Sequence, residues 1–310
     1  MNGVLNIYKE KGMTSFSAAA RVRKITGEKK TGHAGTLDPD AAGVLPVCLG
    51  KATKLMGLIS DTDKEYRTQL VFGKATDTLD TSGEILLEMN PEEAALKLEN
   101  REKILEAILS FKGEIEQLPP MYSAVKVGGV KLVDAARRGQ EIERSVRRVN
   151  IYDISGIEIA DDLMSACFTV SCSKGTYIRT LCDDIGKKLH VPACMGALER
   201  TKACGLTLEG SHTLKEAEAY AKAGRLSEIL IPTDEMLKEH AVLTVRTEAV
   251  KRLVYGNFMY PDDFVPGQSL KIPGTYRIYD EKKRFYGLYK YNEGEKFYRC
   301  EKMFVEQELI

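Results

Sequence analysis

The most unusual segment of the sequence, residues 32–50, places four glycines and two prolines around Asp38. Pro39 restricts Asp38 to extended backbone conformations, and Gly35 and Gly43 can adopt backbone angles that other residues avoid. The loop is therefore shaped, and it can present Asp38 from the edge of a strand into a cleft. A carboxylate in such a place can act as a nucleophile or as a general base. Taken as a dipeptide alone, however, Asp38-Pro39 is more typical of an ordinary turn.

Two further carboxylates, Asp77 and Asp80, have a spacing that permits oxygen ligation of Mg²⁺, which leaves a metal-dependent hydrolase as an alternative. A zinc site is not expected, because the four histidines lie apart from any close cysteine pair. The seven cysteines form no C-x-x-C pair, and their odd number argues against a complete set of disulfides. The sequence therefore favours reduced, mostly buried thiols and a site without a bound metal.

Short strands and helices in irregular alternation are predicted to hold the loop in place. Thr14-Ser15 offers an N-cap for a helix that Gly27 ends, and Ala18, Val22 and Ile25 recur in it at helical spacing. Further helices are predicted at 51–59, 101–111, 132–138, 178–189 and 214–223. Strands are predicted at 5–8, 44–49, 66–72, 146–159 and 164–173.

Two of these elements have a well-defined apolar face, and a third segment has a turn signal. The strand at 66–72 is predicted to have Tyr66, Thr68, Leu70 and Phe72 on one face. The helix at 101–111 is predicted to have an apolar stripe of Ile104, Leu105, Ile108 and Phe111. Gly128-Gly129 predicts a hairpin within a basic segment.

From residue 240 onward the pattern changes to short β-like pieces separated by Gly, Pro and Asp turns. These pieces are predicted at 242–245, 270–272, 275–279, 285–291 and 296–305. The first part of the chain is expected to end near Leu237, which gives two domains, 1–237 and 238–310. A length of 310 residues agrees with that division.

Charge and composition narrow the class of protein. The 45 basic residues balance the 45 acidic ones, so the net charge does not indicate a polyanionic partner. Basic residues nevertheless gather at 21–24, 29–30, 126–138, 144–148 and 187–188. Such clusters permit a basic groove on a neutral protein, although solvated surface explains many of them. The first residues have too short an apolar run for a signal peptide, and no stretch of about 18 apolar residues occurs, so a cytoplasmic protein without a membrane segment is expected.

Seven segments carry a resemblance to a known family. The string Gly32-His33-Ala34-Gly35-Thr36-Leu37-Asp38-Pro39, followed by Gly43-Val44-Leu45, resembles the signature G-H-x-G-T-L-D-P…G-x-L of the bacterial tRNA pseudouridine-55 synthases of the TruB type. The other similar segments, in the family's order, are YKEKGMTS at 8–15, KEY at 64–66, ATDTLDTSG at 75–83, QLPPMYSAVK at 117–126, GTYIRTL at 175–181 and LERT at 198–201. Glu10 stands where the family usually has proline, and Val133 where it commonly has tyrosine.

The resemblance implies an α+β fold. A mixed, largely antiparallel sheet flanked by helices is expected in residues 1–237, with an RNA-gripping insertion at about 118–145. By position and size, residues 238–310 are similar to the family's small β-rich, PUA-like RNA-binding domain. The implied activity is isomerisation of uridine 55 in the T-arm of tRNA to pseudouridine, by base flipping. No cofactor and no obligatory protein partner are expected, and a T-arm stem-loop is expected to suffice as substrate.

The resemblance also implies roles for three residues. Asp38 is the catalytic carboxylate, and the sequence does not choose between attack as a nucleophile and removal of a ribose proton. Arg179 is expected to pair with Asp38, because a carboxylate in a dry pocket needs a cation to stay charged and an arginine fork suits that task. Tyr66 is expected to stack on the flipped base, although a strand tyrosine is more often packed in the core.

Further residues are expected around the substrate. Tyr177 and Leu198 are secondary candidates for the pocket. His33 can fill the gap left by the flipped base or contact a neighbouring base, or it can simply brace the loop. Predicted phosphate contacts are Lys9, Lys64, Lys126, Arg137, Lys174 and Lys202. Together these cations predict RNA binding that weakens with salt.

Two alternatives share the fold that the resemblance implies. A non-catalytic RNA-binding or RNA-folding protein would also explain the basic segments, but it has no use for a loop shaped around Asp38. A synthase that acts on a different uridine, or on an RNA selected by a guide, would use the same motifs. The sequence favours the stand-alone enzyme of the T-arm, because the whole set of motifs resembles that class.

Overall fold

A computed structural model describes residues 1–268 and 272–305 of the chain. Its strands are β1 (Gly3–Lys9), β2 (Thr31–His33), β3 (Ala42–Leu49), β4 (Lys64–Phe72), β5 (Lys74–Thr76), β6 (Ile85–Glu88), β7 (Gly113–Gln117), β8 (Lys126–Val127), β9 (Val130–Lys131), β10 (Arg147–Ile159), β11 (Ser165–Cys172), β12 (Ala193–Ala203), β13 (Leu206–Thr207), β14 (His212–Thr213), β15 (Leu230–Ile231), β16 (Val242–Val245), β17 (Gly274–Asp280), β18 (Phe285–Asn292) and β19 (Phe297–Met303). Its α-helices are α1 (Ser15–Thr26), α2 (Met56–Ile59), α3 (Pro91–Leu98), α4 (Arg101–Leu109), α5 (Leu132–Ala136), α6 (Ile178–Leu189), α7 (Leu214–Lys222) and α8 (Val250–Val254).

One large mixed sheet forms the frame of the chain up to residue 237. Its strands follow the order β14-β1-β3-β12-β4-β11-β10-β7, with β2 beside β3, β13 beside β12 and β15 beside β1. The pairs β1–β14 and β3–β12 are parallel, and the other pairs along this order are antiparallel. The predicted α+β class, with a largely antiparallel sheet flanked by helices, is confirmed.

The alternation of side chains along β3 separates two apolar clusters. Leu45, Val47 and Leu49 pack with α1 and α7, whereas Val44 and Cys48 point to the other face and pack with residues around α2. A further cluster lies where β4, β10 and β11 meet α3, α4 and α6. The loop that carries Asp38, between β2 and β3, is thus anchored on a strand that is buried on both faces.

Helix α1 begins and ends where the sequence predicts. The Thr14 hydroxyl accepts a hydrogen bond from the Ser17 N–H at 3.0 Å. Gly27 ends the helix with a φ of 69°, a left-handed conformation that glycine adopts without strain. Ala18 and Val22 are buried, as their helical spacing predicts. The local signals of capping and periodicity therefore suffice for this element.

The predicted face of the strand at 66–72 is confirmed, because Tyr66, Thr68, Leu70 and Phe72 are all buried. The predicted stripe of α4 is wrong at one position. Leu105 is exposed, because the side chains of Ile104 and Ile108 face the core and a residue one step along a helix points about 100° away. The helix expected at 51–59 is a 3₁₀ turn, Gly50–Leu55, followed by the single turn α2.

Strand β12 is the longest of the elements that the sequence pattern does not predict. It pairs with β3 on one side and with β4 on the other, so it lies in the middle of the sheet. Register shifts between Met195 and Leu198, and again between Arg200 and Lys202, interrupt its pairing with β4. Bulges of this kind break the two-residue alternation by which a strand is recognised in a sequence.

The insertion expected at about 118–145 contains the hairpin β8–β9 and helix α5. Gly128 and Gly129 have φ values of 58° and 86°, so both central residues of the turn adopt the positive φ for which the Gly-Gly pair is suited. The hairpin prediction is confirmed.

The last part of the chain forms a separate sheet in the order β16-β17-β18-β19, around a core rich in tyrosine. Leu288 and Phe304 join the apolar cluster beneath α2, and the Lys54 ammonium donates to the carbonyl of Met303 at 2.8 Å. The predicted β-rich character is confirmed. The piece expected at 270–272 falls, apart from Ile272, outside the described residues. The boundary at 237 and the PUA-like assignment stay predictions.

Candidate active site

The loop that carries Asp38 is fixed by backbone contacts. The Ala41 N–H donates to the carbonyl of Asp38 at 3.1 Å and closes a tight turn. Gly43 has a φ of 110°, and a Cβ atom there would lie 2.3 Å from the carbonyl oxygen of Arg200. Only glycine therefore fits where β3 meets β12, and this close approach holds the end of the loop against the middle of the sheet.

Asp38 forms an ion pair with Arg179, the second residue of helix α6. Oδ2 of Asp38 lies 2.9 Å from Nη2 of Arg179, and the exposed side-chain fractions are 46% for Asp38 and 7% for Arg179. The guanidinium also donates to the carbonyls of Thr78 at 3.1 Å and Tyr122 at 2.8 Å. The arginine is thus fixed from three directions, whereas the carboxylate keeps an open side.

The pair lies in a cavity of 370 Å³, at the lower end of the range of small-ligand pockets, about 300–1,000 Å³. Six segments form it: the turn before α1, the Asp38 loop, the loop after β5, the insertion, the start of α6 and the first half of β12. The lining residues are Lys11, Asp38, Pro39, Asp40, Ala41, Thr78, Asp80, Thr81, Ser82, Tyr122, Val133, Arg137, Arg179, Met195 and Gly196. The open side of Asp38 therefore faces a half-open cavity.

Tyr66 lies beneath the loop and not in the lining of this cavity. Its exposed fraction is 9%, and it packs in the cluster with β11 and α6. Burial raises the pKa of its phenol to about 12. The nearby positive charge of Arg200 lowers this pKa, and the charge of Asp38 raises it. Tyr66 is thus near the carboxylate, but a base could stack on its ring only if more of the ring became accessible.

The three other pocket candidates occupy different positions. His33 is partly buried at the end of β2, and its Nε2 lies 3.3 Å from the Thr36 hydroxyl, which braces the loop. Burial lowers the pKa of His33, and the Arg200 charge adds to that shift. Tyr177 caps α6, and its backbone N–H and carbonyl both bond the Gln117 amide, at 3.0 and 3.2 Å. Leu198 is partly buried and packs against the core.

The position of Lys9 does not fit the phosphate contact that the sequence predicts. It is fully buried, and its ammonium donates to the carbonyls of Glu10 at 3.1 Å, Met13 at 2.7 Å and Pro39 at 3.1 Å. An ammonium has three N–H groups, so none is left for a phosphate. Burial lowers the pKa of Lys9 to about 8, while the charges of Asp38 and Asp40 raise it. In this structure, Lys9 holds the Asp38 loop.

The remaining predicted phosphate contacts have more accessible positions. Arg137 lines the cavity from α5, and Lys126 and Lys202 are exposed. Lys174 forms an ion pair with Asp61. The Lys64 ammonium donates to the carbonyls of Ser60 at 3.1 Å and Thr62 at 2.6 Å, so it is partly engaged already. Of this set, Arg137 is the residue that lines the cavity of the Asp38–Arg179 pair.

Arg200 is a site residue for which the sequence analysis predicts no role. Its side chain is fully buried, and it donates to the carbonyls of Val44 at 2.9 Å, Thr36 at 3.4 Å and Gly35 at 2.8 Å. In the sheet it stands directly opposite Tyr66. One guanidinium therefore holds the Asp38 loop and borders the tyrosine. Arg200 lies in the LERT segment at 198–201, and the resemblance of that segment to the family is the signal that could have identified it.

Asp80 is a second such residue, considered from the sequence only as a magnesium ligand. Its Oδ1 accepts hydrogen bonds from the Thr78 hydroxyl at 2.7 Å and from the N–H and hydroxyl of Ser82 at 3.0 and 2.6 Å. Its Oδ2 lies 4.0 Å from Nε of Arg179. Asp80 thus shapes its loop and flanks the arginine. Across residues 1–268 and 272–305, no three His, Cys, Asp or Glu side chains are grouped as metal ligands.

The chain was compared with models of protein families. The model described as TruB family pseudouridylate synthase (N terminal domain) matches residues 23–178. The model described as tRNA pseudouridylate synthase B C-terminal domain matches residues 179–238. The matched ranges contain the Asp38 loop, Arg179 and Arg200, and they end just before β16.

Similar proteins extend the match to nearly the whole chain. A protein of Clostridium perfringens (strain 13 / Type A) named tRNA pseudouridine synthase B is 41% identical over 307 residues, which cover 99% of this chain and 100% of that protein. A protein of the same name from Lachnoclostridium phytofermentans is 43% identical over 98% of this chain and 100% of its own length. A solved structure described as an H/ACA RNP bound to a substrate RNA containing 2'-deoxyuridine is similar in fold, with a TM-score of 0.71, 23% identity and coverage of 99% of this chain and 86% of that one.

Proposed function

Because the chain belongs to the TruB family of pseudouridylate synthases, we propose that it isomerises uridine 55 in the T-arm of tRNA to pseudouridine. The observation that carries this proposal is the Asp38–Arg179 pair, at 2.9 Å, in a half-open cavity. Two similar proteins named tRNA pseudouridine synthase B support tRNA as the class of substrate. The T-arm position rests on the motifs of the sequence. A tRNA substrate would place the enzyme in the cytoplasm; among the described residues, no helix is both long and apolar enough to span a bilayer.

The bond changes of this reaction define what the site must supply. The bond between N1 of uracil and C1′ of ribose breaks, the base turns while it stays bound, and a bond forms between C5 and C1′. The C5 hydrogen leaves as a proton and N1 gains one, so atoms and electrons balance without a redox partner or a phosphoryl donor. The reaction itself therefore requires no cofactor. It requires a carboxylate near C1′ and a cavity that retains the detached base.

Asp38 has the position that this chemistry requires. Its carboxylate is the exposed member of the ion pair and faces the cavity, whereas Arg179 is fixed behind it by two carbonyls. The cation stabilises the charged form of Asp38 in a site that bound RNA would dehydrate. Asp38 can then attack C1′ or remove a ribose proton, and both routes use the same geometry.

The position of Asp38 inside a cavity supports base flipping. The atoms that react are inaccessible in a stacked nucleotide, so the uridine must turn out of the RNA loop to reach Asp38. We propose that Arg137, on the insertion side of the cavity, contacts a phosphate next to the flipped nucleotide. Tyr66 would contact the base once the RNA has widened the space above its ring. The chain would act without a protein partner, because each group in this scheme lies within its own described residues.

The position of the modified nucleotide tests this proposal. We expect purified protein to form pseudouridine at one site of an unmodified tRNA transcript, position 55, and also in an isolated T-arm stem-loop. Carbodiimide treatment followed by primer extension maps the modified nucleotide. A product at another uridine, or a requirement for a guide RNA or a second protein, would contradict it.

A further inference from the structure

Helix α1 has an exposed face without a single acidic residue. The helix sequence SFSAAARVRKIT contains three cations and no Asp or Glu. Arg21, Arg23 and Lys24 are exposed, whereas Ala18 and Val22 face the core. Cations in a last turn interact favourably with the helix dipole, by about 0.3–1 kcal/mol each. The helix dipole therefore accounts for the positive charges near the end of the helix, but it does not account for the residues of the first turn.

The beginning of the same face carries an exposed aromatic ring. Phe16 is 78% exposed, although full burial of a phenylalanine would contribute about 1.5–3 kcal/mol to stability. Single exposed apolar residues are common on proteins, so exposure alone shows no function. What distinguishes Phe16 is its attachment to the active-site loop.

Two contacts tie the segment before Phe16 to the neighbours of Asp38. The Ser15 hydroxyl donates to the carbonyl of Leu37 at 2.9 Å and accepts from the Leu37 N–H at 2.8 Å. The Gly12 N–H donates to the carbonyl of Pro39 at 2.9 Å. The residues on both sides of Asp38 are thus bonded to the segment that leads into α1. Phe16 is therefore held at a fixed place beside the catalytic loop.

Phe16 and two of the cations lie along one side of the helix. Residues separated by four, seven and eight positions share a face, so Phe16, Ala20, Arg23 and Lys24 form a continuous exposed stripe. At about 1.5 Å per residue, the stripe extends about 12 Å from the ring to Lys24. Lys24 also borders a surface groove of 730 Å³ between α1 and α7, where Glu218 is paired with Lys222 at 2.9 Å.

We propose that the exposed face of α1 binds the RNA substrate next to the flipped nucleotide, with Phe16 stacked on an unpaired base and Arg23 and Lys24 on phosphates. The proposal rests on the proposed function, because it takes the RNA of that reaction as the partner. A polyanion with splayed bases matches both features of the stripe: cations bind phosphates, and an aromatic ring offers a stacking surface to any base.

Equilibrium binding of a T-arm stem-loop by filter assay tests the proposal, with Phe16→Ala and Phe16→Trp. One base–aromatic stack is worth about 1–3 kcal/mol, so Phe16→Ala is expected to raise the Kd about fivefold to about 150-fold and Phe16→Trp to restore it. The single-turnover rate at saturating protein should remain within about threefold. Leu96→Ala is the matched control, because Leu96 is also 78% exposed, on helix α3.

The phosphate part of the proposal has its own measurement. The double variant Arg23→Gln/Lys24→Gln is expected to reduce the slope of log K against log salt by about 1–2, whereas Phe16→Ala should leave that slope unchanged. A 2-aminopurine placed beside the target uridine should be quenched by the wild type and not by Phe16→Ala. Wild-type pseudouridine formation is measured in the same samples, so failure of the proposed function is seen separately.

Three results would overturn the inference while the wild type remains active. The first is a Kd of Phe16→Ala within twofold of the wild type. The second is an equal loss of affinity in Leu96→Ala, which would indicate a general surface effect. The third is an unchanged salt slope in the double variant. A stripe that serves to bind a protein partner would give the first and third results together.

Discussion

Replacement of Arg179 by methionine removes the partner of Asp38 and keeps an unbranched side chain of similar length. The variant loses the contact of 2.9 Å to the carboxylate and the two hydrogen bonds to the carbonyls of Thr78 and Tyr122. Arg179→Lys is the companion variant, because it keeps the charge but replaces the planar fork by a single donor centre. The pair of variants separates the charge from the geometry of the arginine.

The expected magnitude follows from the burial of the two groups. Exposed ion pairs contribute up to about 1 kcal/mol, whereas breaking a buried pair costs about 3–5 kcal/mol. Here Arg179 is 7% exposed and Asp38 46% exposed, so an intermediate value of about 2–3 kcal/mol is expected. If this energy acts on the reacting state, Arg179→Met lowers the rate about 30-fold to about 150-fold. Arg179→Lys should lose about tenfold, since the charge remains.

The assay is the single-turnover release of tritium from a T-arm stem-loop labelled at C5 of uridine, because the C5 hydrogen leaves when the C5–C1′ bond forms. The Kd for the same RNA is measured alongside, and it should change by less than about threefold. Thermal unfolding of each variant checks that the loss of rate is not a loss of folded protein.

Two results would refute this reasoning. A wild-type rate in Arg179→Met would show that Asp38 needs no cation. A loss confined to Kd would show that Arg179 binds RNA and does not act through Asp38.

Three further predictions concern the support of the loop, its pH dependence and metal. Arg200→Met removes three hydrogen bonds of a charged side chain, one to the buried carbonyl of Val44 and two to the more accessible carbonyls of Gly35 and Thr36. The free energy of unfolding should therefore fall by about 3 kcal/mol in a urea titration. Replacement of the exposed Arg225 by methionine should change the free energy of unfolding by less than about 0.5 kcal/mol. Burial lowers the pKa of Lys9 to about 8, and a neutral amine has two N–H groups for three carbonyls, so the rate should fall as pH rises through about 8. Between a pH of about 8 and the ordinary lysine pKa of 10.5, Lys9 has lost its proton in the folded protein but keeps it in the unfolded chain. The contribution of Lys9 to the free energy of unfolding therefore rises with pH in this range, although the rate falls. The rate of Lys9→Met should not fall as the pH rises through about 8. The same fall of the rate in that variant would exclude Lys9 as its cause. EDTA should leave the rate within about twofold, because Asp80 already accepts three hydrogen bonds within its loop; a loss restored by Mg²⁺ would revive the hydrolase alternative.

Local signals in the sequence were sufficient for several elements whose residues interact with near neighbours. The cap at Thr14, the end at Gly27 and the hairpin at Gly128-Gly129 each depend on a few adjacent residues, and the structure has all three. The face of β4 follows from a two-residue period without interruption. These elements could be predicted because backbone preference and burial agree in them.

Strand β12 escaped prediction because its position depends on distant residues. β12 is interrupted by two register shifts, and its place in the sheet is set by pairing with β3 and β4, which are far away in sequence. For the same reason, nothing in its own composition indicated that Arg200 would reach the Asp38 loop. A motif can nominate such a residue, but the function of its side chain depends on which carbonyls lie around it.

The sequence analysis assigned Lys9 a role at the surface, whereas the structure places it in the interior. A lysine near a catalytic loop suggests a phosphate contact, because most lysines are exposed. Here the chain surrounds the ammonium with three carbonyls and removes it from solvent. Sequence alone gives no measure of burial at a single charged residue within a buried strand.

The substitution Asp38→Asn tests the central claim most directly. It preserves the shape of the side chain and removes its charge, and Asp40→Asn, two residues away in the same cavity, is the matched control. We predict that Asp38→Asn forms no detectable pseudouridine in an unmodified tRNA transcript, while its tRNA affinity stays within about tenfold, or about 1.4 kcal/mol. Asp40→Asn should keep its rate within about tenfold. Pseudouridine formation by Asp38→Asn at a rate near that of the wild type would contradict the account.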